Sequence, residues 1–521
     1  MKQSTIRLCK VILGLIIMSG YAMAAEKEKP KLAPITPVPP GLQLSRLFND
    51  HMVLQREMPV KVWGWADTGY AVKVSFAGQT KETKADKDGR WVAKLKSMDA
   101  CAEGRDLVVT CGTNKVTVKD VLVGEVWLLG GQSNMSMPLW VRRDGFEKAD
   151  AEAHPEYSAI RCVTTLKTGF ADPPYNKLDW IQHEPQREIP FKREWVVFGP
   201  HCIQLHGPSF SAFGFFFAKN LYDQIKVPIG LIDTSVGGTL AHYWAPGDIQ
   251  KDIPGLAESY KSEFWFPGCL YNSTIWPIRD MAIRGAWFYL GENNSMTKPI
   301  SIFEPTYRKV IESWRKTFDQ KKMPFGIVQT ASCGSGKSVY GPGPNNIVQE
   351  AQLRIHRTTP NTGIVITTDE VHGDLHIIRK QSHGERAVRW AMAEVYAKSL
   401  PHGQKPKTWG TPVFKSAETK GNKLIVKMET MNGEALVLKG EPSGFVLAGD
   451  DPASSGNSAV ASKKFYEAKA EIVDKTTIVL TSDKVAKPVA ARFGWSNTPY
   501  INLWTESGLP VSPFRTDNWE L

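Results

Sequence analysis

The order of apolar and polar positions divides this chain into three stretches of different character. From residue 41 to about 120, apolar and polar side chains alternate, as they do along residues 71–76. A period of two is typical of strands with one buried face. Asp88-Gly89 stands between two strand-like runs, and this dipeptide commonly forms a hairpin turn. We therefore predict an N-terminal β-sandwich domain over residues 41–120.

Short apolar runs alternate with longer helical patterns in the middle of the chain. The predicted strands are residues 121–129, 230–234, 286–289, 325–329 and 363–368. The predicted helices are residues 211–224, 307–317 and 386–400. Such alternation is typical of a parallel sheet covered by helices on both faces. It predicts an α/β domain over residues 121–405.

The strand pattern returns near Thr411, with glycine, proline, asparagine and aspartate between the apolar runs. The clearest strands are predicted at residues 424–428, 435–438 and 477–481. A second β-domain is therefore expected over residues 406–521. No internal repeat of fixed period is visible, which argues against a propeller or a solenoid.

The first 24 residues have the order of a secretory signal peptide. Three basic residues precede an apolar run at residues 11–18, and Ala22-Met23-Ala24 stands before a charged stretch. The run is shorter than the about 18 apolar residues of a membrane-spanning helix. We expect cleavage, no stable membrane span afterwards, and a secreted or periplasmic protein. Five prolines between residues 30 and 40 predict an extended spacer over residues 25–40.

Size and charge narrow the classes of function. With 521 residues, the chain exceeds the about 250–300 residues at which one hydrophobic core stops growing. Removing the three basic residues of the signal peptide lowers the formal charge from +11 to +8. A basic surface attracts acidic glycans, or is simply solvated. Because no lysine or arginine run of the nucleic-acid-binding kind is present, we expect no nucleic-acid partner.

Six cysteines remain after cleavage, and none forms a C-x-x-C or a paired Cys/His spacing. We therefore expect no structural metal. Cys101 and Cys111 flank an apolar run, so an oxidising compartment would allow a local disulfide between them. Buried free thiols are the alternative.

A candidate nucleophile follows the first strand of the α/β domain, in Gly130-Gly131-Gln132-Ser133-Asn134-Met135. The carboxyl ends of parallel strands are where sites form in open α/β sheets. The glycines permit a tight turn and a close approach of substrate, and a helix start after them would offer N–H groups to an oxyanion. A serine at such a turn is also a common helix cap.

A serine nucleophile needs a histidine base oriented by a carboxylate. Asp374-Leu375-His376 supplies both groups and follows the last predicted parallel strand, so it should emerge at the same sheet edge as Ser133. His372 and His383 lie close by, and spacing alone does not choose among the three histidines.

Four segments of the chain, taken in order, resemble the signature blocks of the sialate O-acetylesterase family. They are Gly131-Gln132-Ser133-Asn134-Met135, residues 230–244, residues 284–294 and Asp374-Leu375-His376. The similarity also includes residues 47–55 and 508–515, and so spans nearly the whole mature chain. Four ordered segments are much more specific than any one of them.

The resemblance implies a three-layer SGNH-hydrolase domain, with a flavodoxin-like parallel sheet, between two β-sandwich-type domains. It implies removal of O-acetyl groups from a sugar or glycan without a metal or an organic cofactor. By position in the blocks, Ser133 matches the nucleophile, His376 the base and Asp374 the orienting carboxylate. The positions matched to oxyanion or substrate binding are Gly237, Gly238, Asn294, Gln132 and Glu292, together with the backbone N–H of Ser133.

Two departures from the family pattern bear on substrate choice. The family usually has Tyr-Gln-Gly-Glu-Ser-Asn, whereas this chain has Leu290 and Asn293 in place of the Gln and the Ser. Ile377 follows the histidine where the family usually has proline. Neither departure removes a predicted catalytic group.

Ala331-Ser332-Cys333-Gly334-Ser335-Gly336-Lys337-Ser338 nearly satisfies the P-loop pattern. Its first position is Ala where the strict pattern has Gly. Residues 339–344 contain two glycines and two prolines and are not expected to start the helix that a P-loop needs. We therefore predict a loop near the active-site edge and no nucleotide partner.

Three other functions are compared with the esterase. An α/β-hydrolase would need Gly-x-Ser-x-Gly, and Met135 stands at its last position. A glycosidase with paired carboxylates is harder to exclude, because 53 acidic residues always allow some pair and Glu292 lies in a matched segment. We interpret Glu292 as structural or as a substrate contact. An inactive glycan-binding protein would suit the 17 tryptophans, most of which are expected to pack in cores. Acetylated sialic acid, acetylated xylan and other acetylated glycans all fit as substrates, because fold and family do not determine the substrate.

Overall fold

The computed structural model describes residues 41–141, 146–165, 187–188, 194–204, 207–208, 210–259, 265–330, 344–370, 375–377, 379–400, 405–450, 464–496 and 501–519. All of these residues belong to one compact unit, Pro39–Leu521. The predicted signal peptide, the whole predicted spacer and the P-loop-like segment 331–338 lie outside the described residues. Within the described part, no helix is both long and apolar enough to cross a bilayer.

The N-terminal part consists of strands and turns. The strands are β1 Gln43–Leu44, β2 Val53–Gln55, β3 Val60–Trp65, β4 Ala71–Phe76, β5 Gln79–Lys84, β6 Arg90–Leu95, β7 Cys101–Cys111 and β8 Asn114–Gly131. β4 buries every second side chain, as its alternating sequence predicts. β1, β3 and β6 form one sheet, and β4, β5 and β7 join β8 in another.

The predicted hairpin at Asp88-Gly89 is wrong. A turn does form there, with Gly89 at φ +74° and its N–H donating to the carbonyl of Asp86. However, β5 on one side of the turn pairs with β4, and β6 on the other side pairs with β3. The chain therefore passes from one sheet to the other at this turn.

The long strand β8 connects the N-terminal strands to the central sheet. Its first part pairs with β7, and residues 125–131 pair with strands of the central sheet on both sides. From Val121 to Gly131 every residue is buried, as expected for a strand covered on both faces. The predicted domain limit at residue 120 falls inside this strand, and the domain limits stay predictions.

The central sheet is mostly parallel. Its other strands are β9 Ile160–Thr164, β10 Val196–Val197, β11 Ile229–Asp233, β12 Gly285–Tyr289, β13 Phe325–Val328 and β14 Thr362–Val365. Their order is β10-β9-β11-β8-β12-β13-β14, and only the β10–β9 pair is antiparallel. The five predicted strands are confirmed, with ends shifted, whereas β9 and β10 were missed. The molecule is thus of the mixed α/β class.

Eight α-helices are found in the described residues. They are α1 Ser133–Ser136, α2 Lys148–Ala153, α3 Ala212–Ile225, α4 Leu256–Ser259, α5 Glu292–Ser295, α6 Phe303–Thr317, α7 Pro344–Thr358 and α8 Gln381–Trp390. Two corrections follow. The helix predicted at 386–400 ends earlier, and a π-turn over Ala391–Val395 follows it. Residues 339–344 were expected to start no helix, but helix α7 begins at the last of them, Pro344. Proline is tolerated in the first turn of a helix.

Aromatic side chains pack these helices onto the sheet. Trp287 of β12 contacts Phe217 of α3 and Trp390 of α8, with ring centroids 5.5 and 5.2 Å apart. The next residue, Phe288, contacts Trp314 of α6 at 5.4 Å. Neighbouring residues of a strand face opposite sides of its sheet. Helices α3 and α8 therefore cover one side of β12, and α6 covers the other.

The C-terminal part is again built of strands. They are β15 Val413–Lys420, β16 Lys423–Glu429, β17 Leu436–Leu438, β18 Phe445–Gly449, β19 Phe465–Glu467, β20 Lys469–Ile472, β21 Thr477–Thr481, β22 Pro488–Phe493, β23 Leu503–Thr505 and β24 Phe514–Arg515. They form two four-stranded sheets and one two-stranded sheet. The three strands predicted here are confirmed. An apolar cluster of their own, including Leu447 and Phe493, lies between them.

The local disulfide between Cys101 and Cys111 is not formed. These cysteines are the first and last residues of β7, and both are free thiols. At about 3.3 Å per residue, opposite ends of such a strand lie about 30 Å apart. A disulfide needs Cα atoms within about 7 Å, so this pairing is excluded.

Candidate active site

The serine turn begins where β8 reaches the end of the sheet. Gly131 has φ +126°, and a Cβ atom there would lie 2.1 Å from the carbonyl oxygen of Tyr289, so glycine is needed. Gln132 donates its N–H to that same oxygen over 2.9 Å. The one-turn helix α1 then starts at Ser133, which is only 9% exposed. The turn thus places the serine at the carboxyl edge, beside the end of β12.

His376 reaches Ser133 across 243 residues of chain. Its Nε2 lies 2.9 Å from Oγ of Ser133, within hydrogen-bonding distance. His383, one of its two competitors, is fully buried in α8, where burial holds the pKa of its imidazole well below the usual value. Asp374 and the other competitor, His372, lie outside the described residues. Of the two candidate bases that the structure describes, His376 and His383, only His376 is placed against the serine.

The loop after β11 lies beside the serine. A Cβ atom on Gly237 would be 3.6 Å from Cβ of Ser133, so this backbone passes close to the serine. Gly238 has φ +74°, a conformation that favours glycine. Its carbonyl accepts a 2.7 Å hydrogen bond from Nδ2 of Asn293. Asn293, noted in the sequence only as a departure from the family, therefore anchors this loop.

Asn294 is buried next to the same loop. Its Oδ1 accepts the backbone N–H of Ala241 over 3.1 Å. Because the oxygen end of the amide is held in this way, the Nδ2 end supplies the donors. An oxyanion needs hydrogen-bond donors of this kind. That Nδ2 of Asn294 donates to the substrate stays a prediction.

Gln132 and Glu292 both lie within the protein. Gln132 is 2% exposed, and its Oε1 accepts from the N–H of Gly291 at 3.4 Å. Glu292 has no exposed surface, and its Oε1 accepts from Nδ2 of Asn134 at 2.7 Å. These contacts fit the structural alternative for Glu292. A direct contact of either residue with substrate stays a prediction.

Asp233 closes β11 directly before the glycine loop. Its Oδ1 accepts hydrogen bonds from the N–H and the hydroxyl of Ser235, at 2.9 and 2.5 Å. Burial raises the pKa of Asp233 to about 6, although both hydrogen bonds oppose that shift. The carboxylate thus fixes the first residues of the loop that passes Ser133.

Two residues of the site were not predicted from the sequence. Asn134 is fully buried, and its side chain contacts Glu292, the carbonyl of Leu375 and the ammonium of Lys380. Lys380 is itself fully buried. Asn134 adjoins the matched serine and could have been found there, whereas nothing in the sequence marks Lys380 as buried beside the site.

The arrangement has the parts of an acyl-transfer site. An imidazole next to a serine hydroxyl can take its proton as the oxygen attacks a carbonyl carbon. Backbone and amide donors nearby can stabilise the negative oxygen that then forms. Among the described residues, no group of three or more His, Cys, Asp or Glu side chains could hold a metal ion.

Comparison with protein families gives a match over much of the chain. The model described as carbohydrate esterase, sialic acid-specific acetylesterase matches residues 123–399. Human sialate O-acetylesterase is 26% identical over 526 residues, which cover 91% of this chain and 92% of the human protein. Rat sialate O-acetylesterase is 24% identical over 554 residues, with 91% and 94% covered.

A solved structure is similar over nearly the same length. The crystal structure of a carbohydrate acetylesterase from Xanthomonas citri is 31% identical and superposes with a TM-score of 0.77. The match covers 92% of this chain and 100% of the bacterial protein. The similarity therefore extends beyond the central sheet to the strands of the N-terminal and C-terminal parts of the chain.

Proposed function

Since this chain belongs to the carbohydrate esterase family of sialic acid-specific acetylesterases and is a carbohydrate O-acetylesterase, we propose that it works through an acetyl intermediate on Ser133. The family inferred from the four sequence segments is thereby confirmed. The observation that carries the mechanism is the 2.9 Å distance between Nε2 of His376 and Oγ of Ser133. The paired-carboxylate glycosidase is not favoured, because the buried Glu292 is hydrogen bonded to Asn134.

In the proposed first half-reaction, Nε2 of His376 takes the hydroxyl proton while Oγ of Ser133 attacks the acetyl carbon. The sugar oxygen then leaves and receives that proton from the imidazolium. In the second half-reaction His376 takes a proton from a water molecule as that water attacks the acetyl carbon. The bond from the acetyl carbon to Oγ of Ser133 then breaks, acetate leaves, and the imidazolium returns the proton to Oγ. Asp374, two residues before the base, is proposed to orient the imidazole through Nδ1.

The oxyanion is proposed to be bound by the backbone N–H of Ser133, the Gly237-Gly238 loop and Nδ2 of Asn294. Two contacts support this set: the closeness of Gly237 to Ser133, and the hydrogen bond that holds the oxygen end of the Asn294 amide away from substrate. Fixed donors of this kind act most strongly where charge develops, in a site that excludes water.

We propose the three-layer SGNH arrangement for the central part of the chain. Packing of α3 and α8 on one side of β12, and of α6 on the other, supports it. The proposed domains are the β-domains at residues 41–120 and 406–521 and the catalytic domain at 121–405. A secreted or periplasmic location is proposed from the N-terminal sequence.

The proposed substrate is an O-acetylated sugar, with acetylated sialic acid as the first candidate because two mammalian relatives are sialate O-acetylesterases. The basic composition supports an acidic substrate. The test is acetate release from O-acetylated sialic acid, from acetylated xylan oligosaccharides and from sialic acid that carries only its N-acetyl group. We expect release from O-acetyl esters alone. Release no faster than with the Ser133→Ala variant on every ester would contradict the proposal.

Replacing Asn294 by alanine should lower kcat about 10²- to 10³-fold, the usual loss for one oxyanion donor. KM should change little, because the ester oxygen carries much less charge before the attack. Asn293→Ala is the matched control. Because Asn293 acts through the carbonyl of Gly238, its loss should lower kcat less. Both variants are measured on one small chromogenic acetate, and the reverse order of the two losses would show that the donor is misassigned.

A further inference from the structure

A chain of buried polar side chains adjoins Ser133 and His376. The ammonium of Lys380 donates to Oδ1 of Asn134 over 2.8 Å. Nδ2 of the same amide donates to Oε1 of Glu292 over 2.7 Å and to the carbonyl oxygen of Leu375 over 3.1 Å. Lys380, Asn134 and Glu292 are each 0% exposed. One asparagine thus connects a buried cation, a buried carboxylate and the residue before the proposed base.

The chemistry of its partners leaves Asn134 only one orientation. An ammonium can only donate, so it must face the amide oxygen. A main-chain carbonyl can only accept, so it must face the amide nitrogen. Turning the amide over would place Nδ2 against Nζ of Lys380 and Oδ1 against the oxygen of Leu375. Both contacts would then be lost inside the protein, at a cost well above that of an ordinary hydrogen bond.

The charges at the two ends strengthen this constraint. Hydrogen bonds to an ionised partner are stronger than neutral ones, and a low-dielectric surrounding strengthens them further. Lys380 also lies over the ring of Tyr289, with Nζ 4.6 Å from the ring centroid. Burial of a cation and a carboxylate is costly unless each has partners, so the pair is expected to keep the amide between them in place.

We propose that Asn134 is a positioning residue for the base: held by Lys380 and Glu292, it fixes the backbone of Leu375 and thereby the place of His376 against Ser133. This inference rests on the proposed function, in which Ser133 and His376 react. Asn134 directly follows Ser133 and contacts the residue directly before His376. A single side chain therefore ties together the two segments that carry the reacting groups.

The alternative is that the polar chain serves folding alone, and two variants separate the two roles. Asn134→Asp keeps an acceptor for Lys380 but has no donor for Leu375 or Glu292. Adding Glu292→Gln gives the new carboxylate at position 134 a donor from the other side and restores the polar chain from Lys380 to residue 292. The carbonyl of Leu375 still has no donor in the double variant. The double variant should therefore regain stability, but the backbone of Leu375 should remain unfixed.

The experiment measures kcat and KM on a small chromogenic acetate across pH, together with thermal unfolding. For Asn134→Asp we expect kcat per folded molecule to fall about 10²-fold at its pH plateau, as a small misplacement of a reacting group does. KM should change little. The double variant N134D/E292Q should unfold closer to the wild-type temperature while its kcat stays low. If Asn134→Asp does not fold, the double variant alone decides.

Asn502→Asp is the matched control. Asn502 is 2% exposed in the C-terminal part, and its Nδ2 also donates to main-chain carbonyls, those of Lys439 and Glu441. It should lower the unfolding temperature without lowering kcat per folded molecule. Recovery of kcat together with stability in N134D/E292Q, or wild-type kcat in Asn134→Asp, would overturn the inference. Turnover by Ser133→Ala would instead overturn the proposed function itself.

Discussion

Replacing His376 by alanine is expected to lower kcat by about 10⁴-fold or more on any acetyl ester, as loss of a triad member does. Without the imidazole, the hydroxyl of Ser133 keeps its proton and is a weak nucleophile. The 2.9 Å distance between Nε2 of His376 and Oγ of Ser133 supports the proposal that His376 is the base. The assay compares kcat for His376→Ala with that of the wild type on a chromogenic acetate.

His383→Ala and His372→Ala are the comparison variants. His383 is fully buried, and its ring lies beside Tyr289 with centroids 6.4 Å apart. Its replacement should destabilise the fold through a cavity and leave kcat per folded molecule near the wild-type value. His372→Ala should likewise keep a kcat near the wild-type value. A dead His372→Ala beside an active His376→Ala would move the role of base to the other histidine.

The central strands were predictable because they are buried on both faces and read as continuous apolar runs. β9 was missed because Arg161 interrupts its apolar sequence. Arg161 is nevertheless only 6% exposed, and its guanidinium donates to the carbonyls of His51 and Asp120. These hydrogen bonds compensate for the cost of burying the guanidinium. Because the partners are distant in the sequence, no local pattern predicts that Arg161 is buried.

Pairing between strands was harder to predict than the strands themselves. The turn at Asp88-Gly89 was identified, but the sequence around it did not show that β5 and β6 belong to different sheets. The disulfide predicted between Cys101 and Cys111 is wrong for a similar reason. A spacing of ten residues suits either a loop or one long strand, and here it is one strand. Contacts made far along the chain decided both cases.

The site was partly predictable for a similar reason. Ser133 and His376 each follow a strand of one parallel sheet, so topology alone places them at one edge. The supporting residues did not follow from topology. Lysine is usually found at the surface, so the sequence predicts an exposed side chain at position 380. Only the structure shows that the ammonium of Lys380 contacts Asn134 and the ring of Tyr289.

Replacing Ser133 by alanine should reduce ester hydrolysis by a factor of about 10⁴ or more, with the residual rate coming from binding and the oxyanion donors alone. The fold should be unchanged, because within the described residues the hydroxyl of Ser133 is hydrogen bonded only to His376. Thermal unfolding of the variant checks this point.

The central claim is that the acetyl group passes through Ser133. Its most direct test is an acid quench during turnover of an excess of acetyl ester, followed by peptide mass analysis. The account predicts a peptide containing Ser133 that carries one acetyl group in the wild-type protein, and no such peptide in Ser133→Ala. An acetyl group on another residue, or turnover by Ser133→Ala close to the wild-type rate, would contradict it.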